Sequence, residues 1–276
     1  MAVLPAVNSN FTHHISAGLA DGTVVAGQVN ISHPSAPTAL PDTDVPGAAG
    51  GGPPLTARRR AELLTEAHDR IEDATLPGSL PALRQPHLAF SKEDEEELPA
   101  RVERVWYINP YGHEIWPVAN PKALAALRAA SAVVYSIGSL YTSIVPSLVL
   151  RGVGEAVAAA PGPRPKVLLL NARQDRETGP AAEAMTAADF VRAVARAAKE
   201  SRLDPSPVQD AECGRYVTHL VHLVGEGVPV VDAEELRGMG VQCIKLAGRW
   251  ESSGSRRVLR YEEEELTRAL EQILEP

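Results

Sequence analysis

Ile137-Gly138-Ser139-Leu140-Tyr141-Thr142-Ser143-Ile144 joins a short apolar run, Ala132-Val133-Val134-Tyr135, to an apolar, helix-length segment over residues 144–159. A strand, a loop of small and hydroxyl residues, then a helix is how an α/β protein builds an anion site. Glycine lets the backbone come close, hydroxyls donate hydrogen bonds, and the helix start presents unpaired N–H groups to negative charge. Gly138 and Ser139 are placed to approach a diphosphate, and Thr142 and Ser143 to bond its oxygens. The same composition also serves capping alone. Tyr141 either stacks on a base or packs over the sheet edge.

A second polar group follows the next apolar run, Lys166-Val167-Leu168-Leu169-Leu170. Asn171 is placed to hold a sugar or base edge, or else is an ordinary strand-end turn residue. Arg176 is suited to a phosphate, and Asp175 or Glu177 to orienting a hydroxyl or holding Mg²⁺ through water. The alternative is a surface turn with an internal ion pair. Asn8, Asn10, Thr12, His13 and His14 form a third cluster. Metal binding needs ligands that face one point, whereas adjacent histidines on a strand point to opposite faces. Asn10 or His14 facing a ligand crevice is the functional reading, and a hairpin entry that satisfies its own backbone is the other. No metal site is expected, and Mg²⁺ is the one cofactor considered. There is no Ser-His-Asp order, zinc signature or P-loop lysine, so nucleophilic hydrolysis has no support.

The elements that must position these groups alternate between strand and helix. Residues 11–31 read as a β-hairpin, with Ile15, Ala17 and Leu19 on one face, Asp21-Gly22 at the turn, and 23–31 as the returning strand. Residues 33–54 turn to Pro, Ala, Gly, Asp and Thr, a composition expected to stay disordered and dispensable. Residues 57–73 carry a helical pattern, and 79–99 are irregular with the acidic run Glu93-Asp94-Glu95-Glu96-Glu97. Residues 102–108 then read as a strand, and Asn120 caps a helix from Pro121 to about Ala130. Residues 132–136 and 166–170 are continuous apolar strands of a sheet covered on both faces. A helix over 186–199 turns Phe190, Val191 and Val194 inward, residues 217–223, 232–238 and 241–246 continue the alternation, and a closing helix over 261–274 carries Leu266, Leu270 and Leu274. This predicts an α/β fold, a Rossmann-like parallel sheet with helices on both faces. Such sheets bind ligands beyond the C-terminal ends of their strands, which puts 138–143 and 171–178 at one crevice.

Composition narrows the function further. The chain has 276 residues, 44% hydrophobic but only 4% aromatic, with 27 basic and 35 acidic residues for a net charge of −8. That balance argues against nucleic-acid binding. Arg58-Arg59-Arg60 is followed at once by Glu62 and Glu66, as on a solvated helix face. Cys213 and Cys243 give neither a disulfide framework nor metal spacing and fit a reducing, cytoplasmic compartment. No secretory signal is visible, and the most apolar window, residues 131–150, is too rich in Ser, Thr, Gly and Pro to span a membrane. A homo-oligomer is left open.

Several runs are more specific than the loop itself. They are Asn120-Pro121-Lys122-Ala123-Leu124, then Gly138-Ser139-Leu140-Tyr141-Thr142-Ser143-Ile144-Val145-Pro146-Ser147-Leu148, then Gly152-Val153-Gly154-Glu155-Ala156-Val157. Further on stand Lys166-Val167-Leu168-Leu169-Leu170-Asn171 and Asp175-Arg176-Glu177-Thr178, and at the start Leu4-Pro5-Ala6 with Asn8 to His14. Together they resemble the CofD-like family, the 2-phospho-L-lactate transferases and the YvcK-type gluconeogenesis factors, and within it the eukaryotic YvcK-like members. The resemblance implies a ligand site for a nucleotide or nucleotide-sugar diphosphate at Gly138, Ser139, Thr142, Ser143, Asn171, Asn10, His14 and Arg176. It implies a binding or regulatory protein. The transferase branch implies instead the transfer of a phospho-lactyl type group from a guanosine diphosphate donor to an alcohol.

Two departures shape the expectation. Where the family carries Gly-Pro-Gly-Ser, this chain has Ser136-Ile137-Gly138-Ser139. The family's opening strand and Gly-Gly-Gly-Thr-Gly loop also have no counterpart, because Gly50-Gly51-Gly52 is followed by Pro53-Pro54 and preceded by no apolar strand. A single α/β domain over 1–276 is expected, N-terminally truncated, with 33–56 and 79–100 as insertion and linker. An inactive fragment is the third functional expectation.

Overall fold

The fold is a computed structural model that describes residues 2–9, 12–32, 80, 83, 97–159, 164–253 and 256–274. The insertion expected over 33–54 and the helix over 57–73 lie outside the described residues, as does Asn10.

Two four-stranded sheets share one core. The first is antiparallel, in the order β2-β1-β3-β4, from β1 (His14–Leu19), β2 (Val24–Ala26), β3 (Val102–Ile108) and β4 (Glu114–Ile115). The expected period of two holds in β1, where Ile15, Ala17 and Leu19 are all buried. Gly22 at φ 86° allows the tight turn, closed by Leu19 N–H donating to the Thr23 carbonyl at 2.9 Å. The returning strand is shorter than expected. It stops at Ala26 because Gly27, at φ 92°, turns the chain into the short helix α1 (Gln28–Ser32). There Asn30 Nδ2 donates back to the Ala26 carbonyl at 2.7 Å. The strand over 102–108 joins this sheet by pairing antiparallel with β1, rather than entering the parallel one.

The second sheet is parallel, in the order β5-β6-β7-β8, from β5 (Val133–Tyr135), β6 (Lys166–Leu169), β7 (His219–Leu223) and β8 (Gln242–Leu246). Strand order follows chain order, so each crossover moves one strand outward. Alternate side chains of β6 and β7 enter different cores, which explains their unbroken apolar text. Leu168 and Leu220 belong to the larger core. Val167, Leu169, Val221 and Leu223 belong to a smaller one on the other face.

Helix α2 (Pro121–Ala129) starts where Asn120 accepts a hydrogen bond from Lys122 N–H at 3.0 Å, with proline just inside the first turn. The expected helix over 144–159 is broken. A wide turn over Leu140–Ile144 leads into α3 (Val145–Leu148), and α4 (Val153–Ala158) restarts after Gly152 at φ 92°. Gly154 explains the second piece: a Cβ there would lie 1.8 Å from the Ala198 carbonyl oxygen, so α4 packs backbone to backbone on the next helix. That helix is α5 (Ala187–Glu200), whose N-cap Thr186 and Asp189 exchange a reciprocal pair of bonds. Its Phe190, Val191 and Val194 join one cluster with Val102 and Val105 of the antiparallel sheet and Leu168 and Leu220 of the parallel one. Thus α5 is the layer between the sheets.

The remaining elements are α6 (Asp210–Cys213), α7 (Ala233–Gly238), the antiparallel hairpin of β9 (Gly248–Ser253) and β10 (Arg256–Tyr261), and α8 (Glu263–Leu274). Leu259 of the hairpin and Ala269 and Ile273 of α8 cover the second face of the parallel sheet. The closing helix begins two residues later than expected, since Tyr261 still pairs with Gly248. Its buried stripe is Ala269 and Ile273, and Leu274 is exposed. The α/β class with a parallel sheet covered on both faces therefore stands.

Candidate functional site

The chain leaves β5 through Ser136-Ile137-Gly138-Ser139 and leaves β6 through Asn171 to Thr178. These neighbouring strand ends open on a crevice of about 750 Å³. Ile137, Gly138 and Ser139 line it from the first loop, and Asn171, Arg173, Asp175, Arg176 and Glu177 from the second. Gly138 is required by a close approach: a Cβ there would sit 2.9 Å from the Ser143 Cβ, so the loop folds back tightly on itself.

Glu177 organises the two loops. Its side chain is 1% exposed, and its Oε2 accepts hydrogen bonds from Tyr141 N–H at 2.9 Å and Thr142 N–H at 3.0 Å. The Thr142 hydroxyl donates to its other oxygen. A carboxylate from the second loop thus satisfies the N–H groups that open the turn of the first. Burial is the main force on this group and pushes its pKa up to about 7. The neighbouring Asp175 charge pushes the same way, and the bonds from Thr142 and Tyr141 oppose both.

Asp175 has its own structural task. Its Oδ1 accepts from Glu177 N–H at 3.0 Å and from Thr178 N–H at 3.1 Å, while the Thr178 hydroxyl accepts from Asp175 N–H at 2.9 Å. The result is a capped short turn over Arg176–Thr178. Burial raises the Asp175 pKa, against these hydrogen bonds and the positive charge of Arg173. Helix α1 braces both loops. Arg176 Nε donates to the Ile31 carbonyl at 3.2 Å and Gln28 Nε2 to the Thr142 carbonyl at 3.4 Å.

The residues singled out in the sequence divide accordingly. Gly138, Ser139, Asn171 and Arg176 meet at the crevice. Thr142 does not: it is 8% exposed, and its hydroxyl and N–H are both committed to Glu177. Ser143 is turned toward a shallow groove beside β5. Tyr141 is packed in the core at 4% exposure, away from any base. His14 lines a separate cavity of about 310 Å³ with His13, Gln28, Asn30 and Tyr107, because the start of β1 lies on the far side of α1. Among the described residues no group of three or more His, Cys, Asp or Glu could hold a metal ion. Both Glu177 oxygens already accept hydrogen bonds, as does Oδ1 of Asp175.

Three contributors were not foreseen. Arg173 adds a second guanidinium to the second loop, and Arg260 and Tyr261 reach the crevice from the C-terminal hairpin. Arg173 carries a usable signal, as a cation four residues past a buried strand. Arg260 and Tyr261 carry none, because only the fold brings residues 258–261 back over the ends of β6 and β7. No described helix is long and apolar enough to cross a membrane.

Comparison with known proteins agrees with this architecture. The chain is 35% identical over 281 residues to an uncharacterized protein, YNL011C, of Saccharomyces cerevisiae, a match covering 98% of this chain and 60% of that one. It is 30% identical over 146 residues to a gluconeogenesis factor of Bacillus subtilis, covering 52% of this chain and 43% of that protein. The crystal structure of protein BH3568 from Bacillus halodurans superposes with a TM-score of 0.54 at 18% identity, covering 97% of this chain and 60% of that one, a likeness of fold. This chain therefore spans about 60% of the length of the yeast relative. The model of the family described as 2-phospho-L-lactate transferase CofD matches residues 1–247, and the chain belongs to that family.

Proposed function

We propose that the crevice binds a nucleoside diphosphate or nucleotide-sugar diphosphate, and that the protein acts as a YvcK-like binding or regulatory factor. One observation carries the reading. Ser139 and Asn171 stand at the C-terminal ends of adjacent parallel strands, line the same crevice, and form no side-chain hydrogen bond among the described residues. Buried and half-buried polar groups normally find partners, so two without them beside Arg173 and Arg176 suit a polar, anionic ligand. Parallel sheets bind ligands at this position. The diphosphate lies against Gly138 and Ser139 and the arginines, and Asn171 takes a sugar or base edge.

The anion is not held by the Tyr141 and Thr142 N–H groups. Glu177 already occupies them, so neither has a hydrogen bond left for a phosphate. The guanidiniums supply the attraction instead, through charge-assisted hydrogen bonds. Calorimetric titration with GDP, UDP and a UDP-sugar tests this. Binding of at least one is expected, and Ser139→Ala should weaken it by roughly 1–3 kcal/mol, the worth of a hydrogen bond to a charged group. No heat from any of the three overturns the proposal.

A transferase is the second reading, supported by membership of the 2-phospho-L-lactate transferase CofD family. The phospho-lactyl type group would pass from a guanosine diphosphate donor to an alcohol, with this crevice holding the donor. Release of a guanosine nucleotide that depends on added alcohol distinguishes it from simple binding.

A further inference from the structure

The family match ends at residue 247, yet one wall of the crevice is built by residues beyond it. We infer that the C-terminal hairpin is part of the ligand site and that Arg260 is an anion-binding residue there, a proposal that rests on the nucleotide reading above.

The hairpin is fixed over the strand ends rather than lying loosely beside them. The Tyr261 hydroxyl sits between the carbonyls of Leu170 and Val221, at 2.7 and 3.0 Å. Those carbonyls belong to the chain just past β6 and within β7, so β10 is held at the edge where parallel sheets receive ligands. Burial raises the pKa of this phenol, which keeps it a hydrogen-bond donor. Leu259 is wedged against two glycines: a Cβ on Gly225 would meet it at 2.9 Å and one on Gly248 at 2.7 Å. Packing that close leaves little room for the hairpin to slide.

Charge gives the wall its chemistry. On the hairpin, Glu251 accepts from Arg260 Nε at 2.9 Å and also from Arg249. One carboxylate shared by two guanidiniums leaves one positive charge unbalanced in that trio, while Glu263 at the start of α8 also lines the crevice. Arg260 lines the same crevice as Arg173 and Arg176. Cations brought to one crevice by separate elements suit a ligand whose negative charge is spread over two groups, as in a diphosphate, better than one carrying a single charge. Arg257 serves as the internal control. It stacks over the Trp250 ring, 5.3 Å from the centroid, and does not line the crevice.

The test titrates GDP, UDP and inorganic pyrophosphate into the unaltered chain, Arg260→Ala and Arg257→Ala, with thermal melts to confirm that each variant is folded. The expected result is a loss of roughly five- to tenfold in affinity for all three ligands in Arg260→Ala, consistent with one partly exposed charge-assisted contact. Arg257→Ala should bind as the unaltered chain does. If the unaltered chain binds the nucleotides and Arg260→Ala binds them equally well, the hairpin has no part in recognition and this inference falls, while the nucleotide site stands. If only pyrophosphate binds, and Arg260→Ala weakens it, the anion contact stands and the nucleotide reading falls. Should none of the three bind, both fall. If Arg260→Ala loses its fold, Arg260→Gln replaces it, which keeps side-chain length but removes the charge, and unchanged affinity in that variant overturns the inference.

Discussion

The loops that follow β5 and β6 differ in what their backbones need. The first, residues 136–144, ends in a turn whose leading N–H groups have no partner within it. The second, residues 171–178, supplies Glu177, which reaches across and accepts from two of them. One loop has the look of an anion site and the other carries the anion. A strand–glycine–hydroxyl–helix pattern therefore signals N–H groups in need of an acceptor, and the acceptor can be internal.

Removing Glu177 breaks this arrangement most directly. Glu177→Ala leaves Tyr141 N–H and Thr142 N–H buried without an acceptor, each costing roughly 1–3 kcal/mol. The melting temperature should fall by several degrees or more, since 1 kcal/mol shifts it by about 2–4 °C in a chain of this size. Glu177→Gln should be far milder, because an amide oxygen accepts the two N–H bonds and the amide nitrogen donates to the Thr142 hydroxyl. An unchanged melt for Glu177→Ala would show that the bond between the loops contributes little.

The pH dependence sharpens the same comparison with a smaller effect. The Glu177 pKa is raised in the folded chain to about 7, above its ordinary carboxylate value of 4.5. The folded state then holds a proton that the unfolded state has lost between those two values. Stability contributed by this group is fully present below about pH 4.5 and declines as the pH rises toward 7. Asp175, Glu263 and the guanidiniums of Arg173, Arg176 and Arg260 are the other charges lining this crevice. The Asp175 pKa is raised as well, so its contribution has the same sign. Denaturation midpoints measured from pH 4.5 to 7.5 should show a flatter profile for Glu177→Gln than for the unaltered chain. Parallel profiles would mean that the titrating group is not Glu177.

Much of the scaffold is legible in the sequence because it repeats. Val133 to Tyr135 and Lys166 to Leu169 are apolar without a break, as doubly covered strands must be, and Phe190, Val191 and Val194 fall on one side of a capped helix. That Gly138, Ser139, Asn171 and Arg176 share a crevice is legible because they stand in the loops that leave such strands. Glu177 is not legible in its true role. In Asp175-Arg176-Glu177-Thr178 it looks like solvated charge on a turn, and its partners lie more than thirty positions earlier. The break in the helix expected over 144–159 has a similar cause, since Gly154 answers to the backbone of Ala198 on another helix. The hairpin over 248–261 is not legible in the sequence for a third reason. Their mix of Arg, Trp, Glu and Ser shows no alternation, and the hairpin is held by tertiary contacts at Leu259 and Tyr261.

The smallest predicted effect probes the first loop alone. The Cβ introduced by Gly138→Ala would stand 2.9 Å from the Ser143 Cβ and 3.4 Å from its Oγ. A rotamer change at Ser143 cannot relieve the first contact, because a Cβ is placed by its own backbone. That backbone is held in turn: Ser143 N–H and Ile144 N–H both donate to the Ser139 carbonyl, at 2.9 and 3.2 Å. The turn must open by a few tenths of an ångström, at a cost of about 1 kcal/mol, the low end for an added methyl group in a tight space. Ser143→Gly removes the opposing atom, so the double variant Gly138→Ala with Ser143→Gly should recover part of the loss beyond the sum of the single changes. The coupling is read from denaturation midpoints of the four chains in the cycle. Additive effects would mean that the two residues do not touch, and that the fold of this loop is set by Glu177 without help from the glycine.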